Sequence, residues 1–199
     1  MIRIGLIGEI AAGKTFVGKC FGFPVFNADL EVKKIYKTNR KCFKKLNKKF
    51  PKNIKKFPII KNELRKIVNK KNIKIISKIV HPYVRVQLKK FLKKNKSKKY
   101  VVLDIPLLIE NKLNNKSDIL IYIKTPKKVI LKRLKNRASY NKKILNILKK
   151  KQTNMKKKLK LANFIIYNNL NKKNVLNQIK QIKKEFNDWS NFRYWNNWT

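Results

Sequence analysis

The chain has 199 residues, 43% hydrophobic and 11% aromatic, with 54 Lys and Arg against 9 Asp and Glu for a formal charge of +45. The apolar content supplies a core and excludes general disorder. No run nears the ~18 apolar residues of a membrane span, Gly5, Gly8 and Glu9 break the N-terminal stretch too early for a secretory signal, and two cysteines, Cys20 and Cys42, make no disulfide framework and indicate a reducing compartment.

Ile2 to Ile7 is a short apolar run closed by Gly8 and reads as a buried strand. Lys14 to Phe21 reads as a helix ending near Gly22, and Phe23 to Phe26 as a second strand entered through Pro24. From Asp29 to about Asn95 the pattern is helical, with Ile35, Phe43, Leu46, Leu64, Ile67, Val84 and Leu88 among the apolar positions and Pro51, Pro58 and Pro82 dividing it into pieces. Tyr100 to Ile105 is a third strand ended by Pro106, and Ile119 to Ile123 a fourth, after which Thr125-Pro126 starts a helix. A basic helical stretch runs to Ala162, Phe164 to Tyr167 is a fifth strand, and Asn174 to Phe186 a closing helix. Strands alternating with helices imply an α/β fold with a parallel sheet. The helical stretch between strands two and three is too long for a crossover and reads as an inserted subdomain. No Gly/Ser linker divides the chain.

Residues Gly8-Glu9-Ile10-Ala11-Ala12-Gly13-Lys14-Thr15 fit the phosphate-loop pattern G-x-x-x-x-G-K-[ST], directly after a strand and opening a helix. Backbone N–H groups of such a loop and the helix N-terminus form an anion cradle. Lys14 would reach the β- and γ-phosphates, and the Thr15 hydroxyl would ligate Mg2+. The loop, with Phe16 beyond it, is the candidate nucleotide site. The alternative is a Gly-containing turn that merely joins strand and helix.

Acids are few enough to take singly. Asp29 follows strand two, at the sheet edge where ligands gather, and suits the carboxylate a kinase needs beside its acceptor hydroxyl; the alternative is an N-cap. Asp104 ends strand three and resembles a Walker-B acid that assists Mg2+, or else is a turn residue before Pro106. Asp118 reads as a loop acid. His81, the only histidine, forms no zinc constellation with two distant cysteines and reads as capping or starting a helix. Arg133 and Arg137 share a helix face, for nucleotide contact or as a solvated basic face. Trp189, Trp195 and Trp198 form either a partner surface or a packed extension. Only seven of the basic residues are Arg, the residue suited to bidentate phosphate contacts. The Lys is spread in short runs among abundant Asn and Ile, residues of A/T-rich codons. Most of the charge therefore reads as compositional bias, with runs such as Lys149-Lys150-Lys151 and Lys156-Lys157-Lys158 as solvated faces.

Taken in order and spacing, these segments resemble the dephospho-CoA kinases. The phosphate loop is similar to that family's Gly-Gly-x-Gly-Ser-Gly-Lys-Ser/Thr, and Asn27-Ala28-Asp29 to its Asp-Ala-Asp. His81-Pro82 matches its His-Pro, and Pro106-Leu107-Leu108-Ile109-Glu110 its Pro-Leu-Leu-x-Glu. Leu131-Lys132-Arg133 through Arg137 matches the basic helix leading to its lid. Gln152 and residues 162–169 resemble its closing Gln and Ala-Asp-x-x-Ile-x-Asn-Asn.

The resemblance implies a P-loop NTPase-like fold: a five-stranded parallel sheet flanked by helices, with a helical substrate-binding insertion and a helical lid. The implied division is a core of 1–29, 100–137 and 159–199, an insertion of 30–99, and a lid of 138–158. It implies ATP-dependent phosphorylation of the ribose 3'-hydroxyl of dephospho-CoA, with Mg2+, in a cytoplasmic monomer with no membrane or specific nucleic-acid partner. Lys14, Asp29 and Arg137 would be catalytic, His81, Pro106, Leu107 and Glu110 would bind substrate, and Thr15 and Asp104 would hold the metal. Glu9, Ala11 and Ala12 depart from the family loop, and Ala11 would be strained if its position requires a positive φ. Asn27 and Asn163 replace acids, Met155 stands where a lid Arg is usual, and Lys158 keeps a charge. A slower but active kinase is expected. The rivals are another small P-loop nucleoside or nucleotide kinase, a nucleic-acid-binding protein on a kinase-like scaffold, and an inactive homologue.

Overall fold

The computed structural model describes residues 1–136, 146 and 152–195. Within them are β1 (Ile2–Gly8), α1 (Lys14–Cys20), β2 (Val25–Asn27), α2 (Ala28–Thr38), α3 (Arg40–Lys49), α4 (Lys61–Ile67), α5 (Lys70–Lys94), β3 (Tyr100–Asp104), β4 (Ile119–Lys124), α6 (Lys127–Lys135), α7 (Met155–Leu161), β5 (Phe164–Tyr167) and α8 (Lys172–Trp195). All five strands expected from the sequence form. The closing helix is longer than its apolar pattern indicated, starting at Lys172 and continuing to Trp195. Arg137, Trp198 and most of the expected lid, 138–151 apart from Asn146, lie outside the described residues.

The described chain divides into two compact units: residues 26–99 with Met1 and Asn146, and residues 2–25, 100–136 and 152–195. The five strands form one sheet in the order β2-β3-β1-β4-β5, with β1 parallel to both β3 and β4, and β4 parallel to β5. The central strands are apolar nearly throughout because both their faces are covered, as parallel sheets require. Ile4 and Leu6 of β1, Ile119, Ile121 and Ile123 of β4 and Ile166 of β5 pack with Val17 of α1, with Phe21 just after it, and with Val175, Ile179 and Phe186 of α8. β1 lies between β3 and β4, so chain order reverses at β1, and its carboxyl end is the place where such sheets receive ligands.

The unit of residues 26–99 is helical, with a core of Ile35, Cys42, Leu46, Ile54, Ile59, Ile67 and Val80. The expectation that Pro82 ends a helix, with His81 at a helix start, fails. Both lie inside the 25-residue α5. A proline there removes one backbone hydrogen bond and disfavours the helix by ~3 kcal/mol. Val80 in the core and Ile76, Ile79, Tyr83 and Val84 packed against it hold the helix through that point.

Asparagine, abundant through composition, is used locally as a helix cap. Asn27, Asn39, Asn69, Asn154 and Asn171 stand immediately before α2, α3, α5, α7 and α8. Each accepts a first-turn N–H through its Oδ1, at 2.8–3.1 Å. A cap of this kind is worth about 1 kcal/mol relative to Ala.

Candidate active site

Residues 8–13 join the carboxyl end of β1 to α1 through three positive-φ positions: Gly8 at 148°, Ala11 at 66° and Gly13 at 89°. A Cβ at Gly8 would sit 2.8 Å from the Ile123 carbonyl oxygen, so the loop leaves the sheet pressed against β4. The strain anticipated at Ala11 is present: an L-residue with a side chain occupies the left-handed region, at a cost of about 1–2 kcal/mol. The Ala12 N–H donates to the Glu9 carbonyl at 3.2 Å, closing the loop's internal turn.

Lys14 Nζ donates to the Gly8 and Glu9 carbonyls, at 3.2 and 2.8 Å, and so folds back over the loop it follows. The Thr15 hydroxyl donates to Asp104 Oδ2 at 2.5 Å, although 89 residues separate them in sequence. Asp104 is the last residue of β3 and is buried. Its position at the end of β3 brings its carboxylate against the first turn of α1. Among the described residues no group of three or more His, Cys, Asp and Glu could enclose a metal. A hydroxyl beside one carboxylate is instead the hard-oxygen pair that suits a Mg2+ completed by water and substrate phosphates.

Three further donors reach the loop. Thr125 Oγ1, after β4, and Asn168 Nδ2, after β5, both donate to the Ala12 carbonyl at 2.8 Å. Arg133 Nη1 of α6 donates to the Ala11 carbonyl at 3.2 Å. A cavity of about 430 Å³ opens beside this contact, lined by Ala11 and Gly13 of the loop, Lys132, Arg133 and Asn136, and Leu170. Burial, with the Glu9 carboxylate adding to it, pushes the Tyr122 phenol above its ordinary pKa.

The turn after β3 carries Pro106, Leu107 and Glu110, with Leu107 at φ 57°. Glu110 Oε1 accepts from the Thr153 N–H at 2.8 Å and pairs with Lys158 Nζ of α7 at 2.9 Å. Burial raises the Glu110 carboxyl, but Lys158 and the Thr153 N–H outweigh it and hold the group below the usual carboxylate range. Lys158 was expected as a solvated lid cation. It is buried instead, its ammonium committed to the Glu110 carboxylate. Gln152 Nε2 reaches the Gly8 carbonyl at 3.4 Å, so the start of this segment meets the loop.

Asp118 is not a plain loop acid: it is buried and pairs with Arg3 at 2.9 Å. Asp29 and His81 belong to the helical unit. Asp29 lies in the first turn of α2, and the cap that was its alternative role is made by Asn27. His81 is exposed on α5. The contacts made by Thr125, Asn168 and Lys158 were not foreseen. Thr125-Pro126 signalled only a helix start, and no spacing rule links position 168 to position 12.

The chain matches the family model described as dephospho-CoA kinase over residues 2–174. It is 32% identical over 191 residues to a dephospho-CoA kinase of Wolbachia pipientis, spanning 92% of this chain and 97% of that one. Among solved structures, a protein of Thermus thermophilus aligns with a TM-score of 0.74 at 23% identity over 92% of this chain and 97% of its own, a likeness of fold. The dephospho-CoA kinase of Campylobacter jejuni aligns with a TM-score of 0.61 at 25% identity, over 92% and 96%.

Proposed function

The chain belongs to the dephospho-CoA kinase family, and we propose that it transfers the γ-phosphoryl group of ATP to the ribose 3'-hydroxyl of dephospho-CoA, giving CoA and ADP, in the last step of coenzyme A biosynthesis. The observation that carries this reading is the loop of residues 8–15 at the carboxyl end of β1, with Lys14 folded over it and Thr15 paired to Asp104.

Residues 8–16 hold the ATP phosphates through backbone N–H groups and the first turn of α1. Lys14 exchanges its two loop carbonyls for β- and γ-phosphate oxygens, a small movement of a long flexible side chain. Thr15 Oγ1 and Asp104 Oδ2 hold the Mg2+ that accompanies the nucleotide, and the ion supplies neutralisation of phosphate charge. The cavity beside Arg133 suits the nucleoside part of ATP. Asp29 accepts the proton of the 3'-hydroxyl as its oxygen bonds to the γ-phosphorus, and the β–γ bridging oxygen leaves with ADP. Arg137 adds positive charge at the transferring group. The insertion, 30–99 with His81, takes dephospho-CoA together with Pro106 and Leu107. Glu110 supports that surface by anchoring Thr153 and Lys158, and 138–158 form the lid. Catalysis is then mainly positioning and electrostatic stabilisation.

The protein acts in the cytoplasm as a monomer, with its small polyanionic substrates rather than a nucleic acid as partners. Two cysteines outside any disulfide support a reducing compartment, and the abundance of Lys over Arg supports the absence of dedicated nucleic-acid readout.

Purified protein given ATP, Mg2+ and dephospho-CoA should form CoA, and Lys14→Ala should not. Asp29→Asn should lower kcat by about 100-fold or more, the scale of a lost general base, with ATP affinity nearly unchanged. Wild-type turnover no higher than Lys14→Ala would overturn the activity. Equal losses of turnover and ATP binding in Asp29→Asn would overturn the role of Asp29 alone.

A further inference from the structure

We propose that Thr125 and Asn168 are positioning residues of the phosphate loop: together they hold the Ala12 carbonyl and thereby aim the Gly13 N–H at the nucleotide's phosphates. The proposal rests on residues 8–15 being the ATP-phosphate site, and it concerns how this chain keeps that site in shape.

A carbonyl oxygen has two lone pairs. Both at Ala12 are used, by Thr125 Oγ1 and Asn168 Nδ2, each at 2.8 Å and each from a buried side chain. The Ala12 carbonyl and the Gly13 N–H share one rigid planar trans peptide, so they point in opposite directions. Fixing the oxygen against the sheet therefore fixes the N–H pointing away from it. Both donors sit on rigid supports. Thr125 directly follows β4, and the backbone N–H of Asn168 bonds to the Lys124 carbonyl at 2.8 Å.

Two independent details indicate that this contact is what Asn168 is there to make. The side chain is fully buried, yet its Oδ1 has no hydrogen-bond partner among the described residues. A buried acceptor left unmet opposes folding, and an apolar residue of similar size would avoid that cost, so the position depends on what Nδ2 does. The loop is also shaped to admit the amide: a Cβ at Gly13 would stand 2.4 Å from Asn168 Nδ2 and 2.9 Å from Arg133 Nη1. The need for an external hold comes from the loop's own sequence. Ala11, at φ 66°, is in a conformation its side chain resists. Arg133 on the Ala11 carbonyl and the pair on the Ala12 carbonyl keep these two peptides from relaxing.

The test uses the full chain carrying Thr125→Val, which keeps shape and removes the hydroxyl, Thr125→Ser, which restores it, and Asn168→Asp, which replaces the donor by an acceptor. ADP affinity by calorimetry, KM for each substrate, the melting temperature and the Gly13 amide resonance are compared with wild type. Thr125→Val and Asn168→Asp should each weaken ADP binding and raise KM for ATP about tenfold, the effect of losing one oriented donor. KM for dephospho-CoA should stay within about twofold, Thr125→Ser should recover, and the Gly13 amide resonance should shift in the nucleotide-free protein. Folded variants with unchanged ADP affinity, or with both KM values raised alike, overturn the proposal. If Thr125→Val does not fold, Asn168→Asp and Thr125→Ser decide it by the same ADP affinity and Gly13 readouts. ADP binding needs no acceptor substrate, so a wild-type protein that binds ADP but forms no CoA refutes the kinase reading and leaves this test intact.

Discussion

Removing the Lys158 ammonium should destabilise the protein far more than removing its ion pair as a whole. The pair is 2.9 Å apart, with side-chain exposures of 4% for Lys158 and 11% for Glu110. At an effective dielectric of 20 the attraction at that distance is about 6 kcal/mol, and taking two ions out of water costs several kcal/mol each. The intact pair is therefore close to neutral. Lys158→Met leaves a buried carboxylate facing only backbone N–H groups, those of Thr153 and of Glu110 itself, a loss of about 3–5 kcal/mol. In a chain of this size that lowers the melting temperature by roughly 10 °C. Glu110→Gln keeps an oxygen for the Thr153 N–H and strands the ammonium, with a similar loss. The double variant should recover at least ~2 kcal/mol of the summed single losses. Urea unfolding followed by circular dichroism measures all three. Acid gives a second readout. The folded Glu110 carboxyl lies below its ordinary range, so its contribution is complete above that range and disappears as pH falls through the folded value. The stability gap between wild type and Glu110→Gln should thus close only as pH falls below the ordinary carboxylate range. Strictly additive single losses, or a gap independent of acid, would refute the account of Glu110 as an anchor held by buried charge.

Ala11→Gly should raise stability by several tenths of a kcal/mol to about 1 kcal/mol, since Gly adopts φ 66° freely and part of the gain is offset in the unfolded chain; a melting temperature unchanged or lowered counts against strain at Ala11. Burial pushes the Cys42 thiol up to about 11, against an opposing effect of Lys45. Native protein at pH 8 should therefore resist alkylation at Cys42 and accept it in urea, read by mass spectrometry; equal labelling rates in the two states would contradict the buried thiol.

β1, β3 and β4 were legible because each is a short, nearly continuous apolar run, and burial on both faces leaves no alternation to misread; β5 is an edge strand that alternates, with Ile165 and Tyr167 exposed. The loop was legible because the phosphate-loop pattern has a fixed local spacing; the pairing of β3 with β1, which brings Asp104 to Thr15, is not given by the order of elements along the chain. What escaped reading is long-range and one-sided. Pro82 has a strong local signal for a break, and the packing of α5 overrides it. Lys158 has the local signal of a solvated run, yet its burial depends on an acid 48 residues earlier, at Glu110. Thr125 and Asn168 act on a main-chain oxygen, and a carbonyl leaves no trace in the residue type that carries it.

The biased composition is put to use in the fold. A net charge of +45 works against a compact chain by self-repulsion, so the few acids count most where they meet a cation that is out of water. Asp118 meets Arg3 and Glu110 meets Lys158, both pairs largely withdrawn from solvent. Asp104 meets Thr15 at the nucleotide loop. Asparagine takes over a task acids often share with it, capping five helices, and does so without a counter-charge. That substitution has a limit at the reacting centre. Asn27 caps α2 as an acid would, but an amide cannot take a proton from a hydroxyl, so the proposed mechanism gives that task to Asp29, two residues on. Asparagine therefore serves in the caps, while the buried ion pairs with Arg3 and Lys158 keep carboxylates.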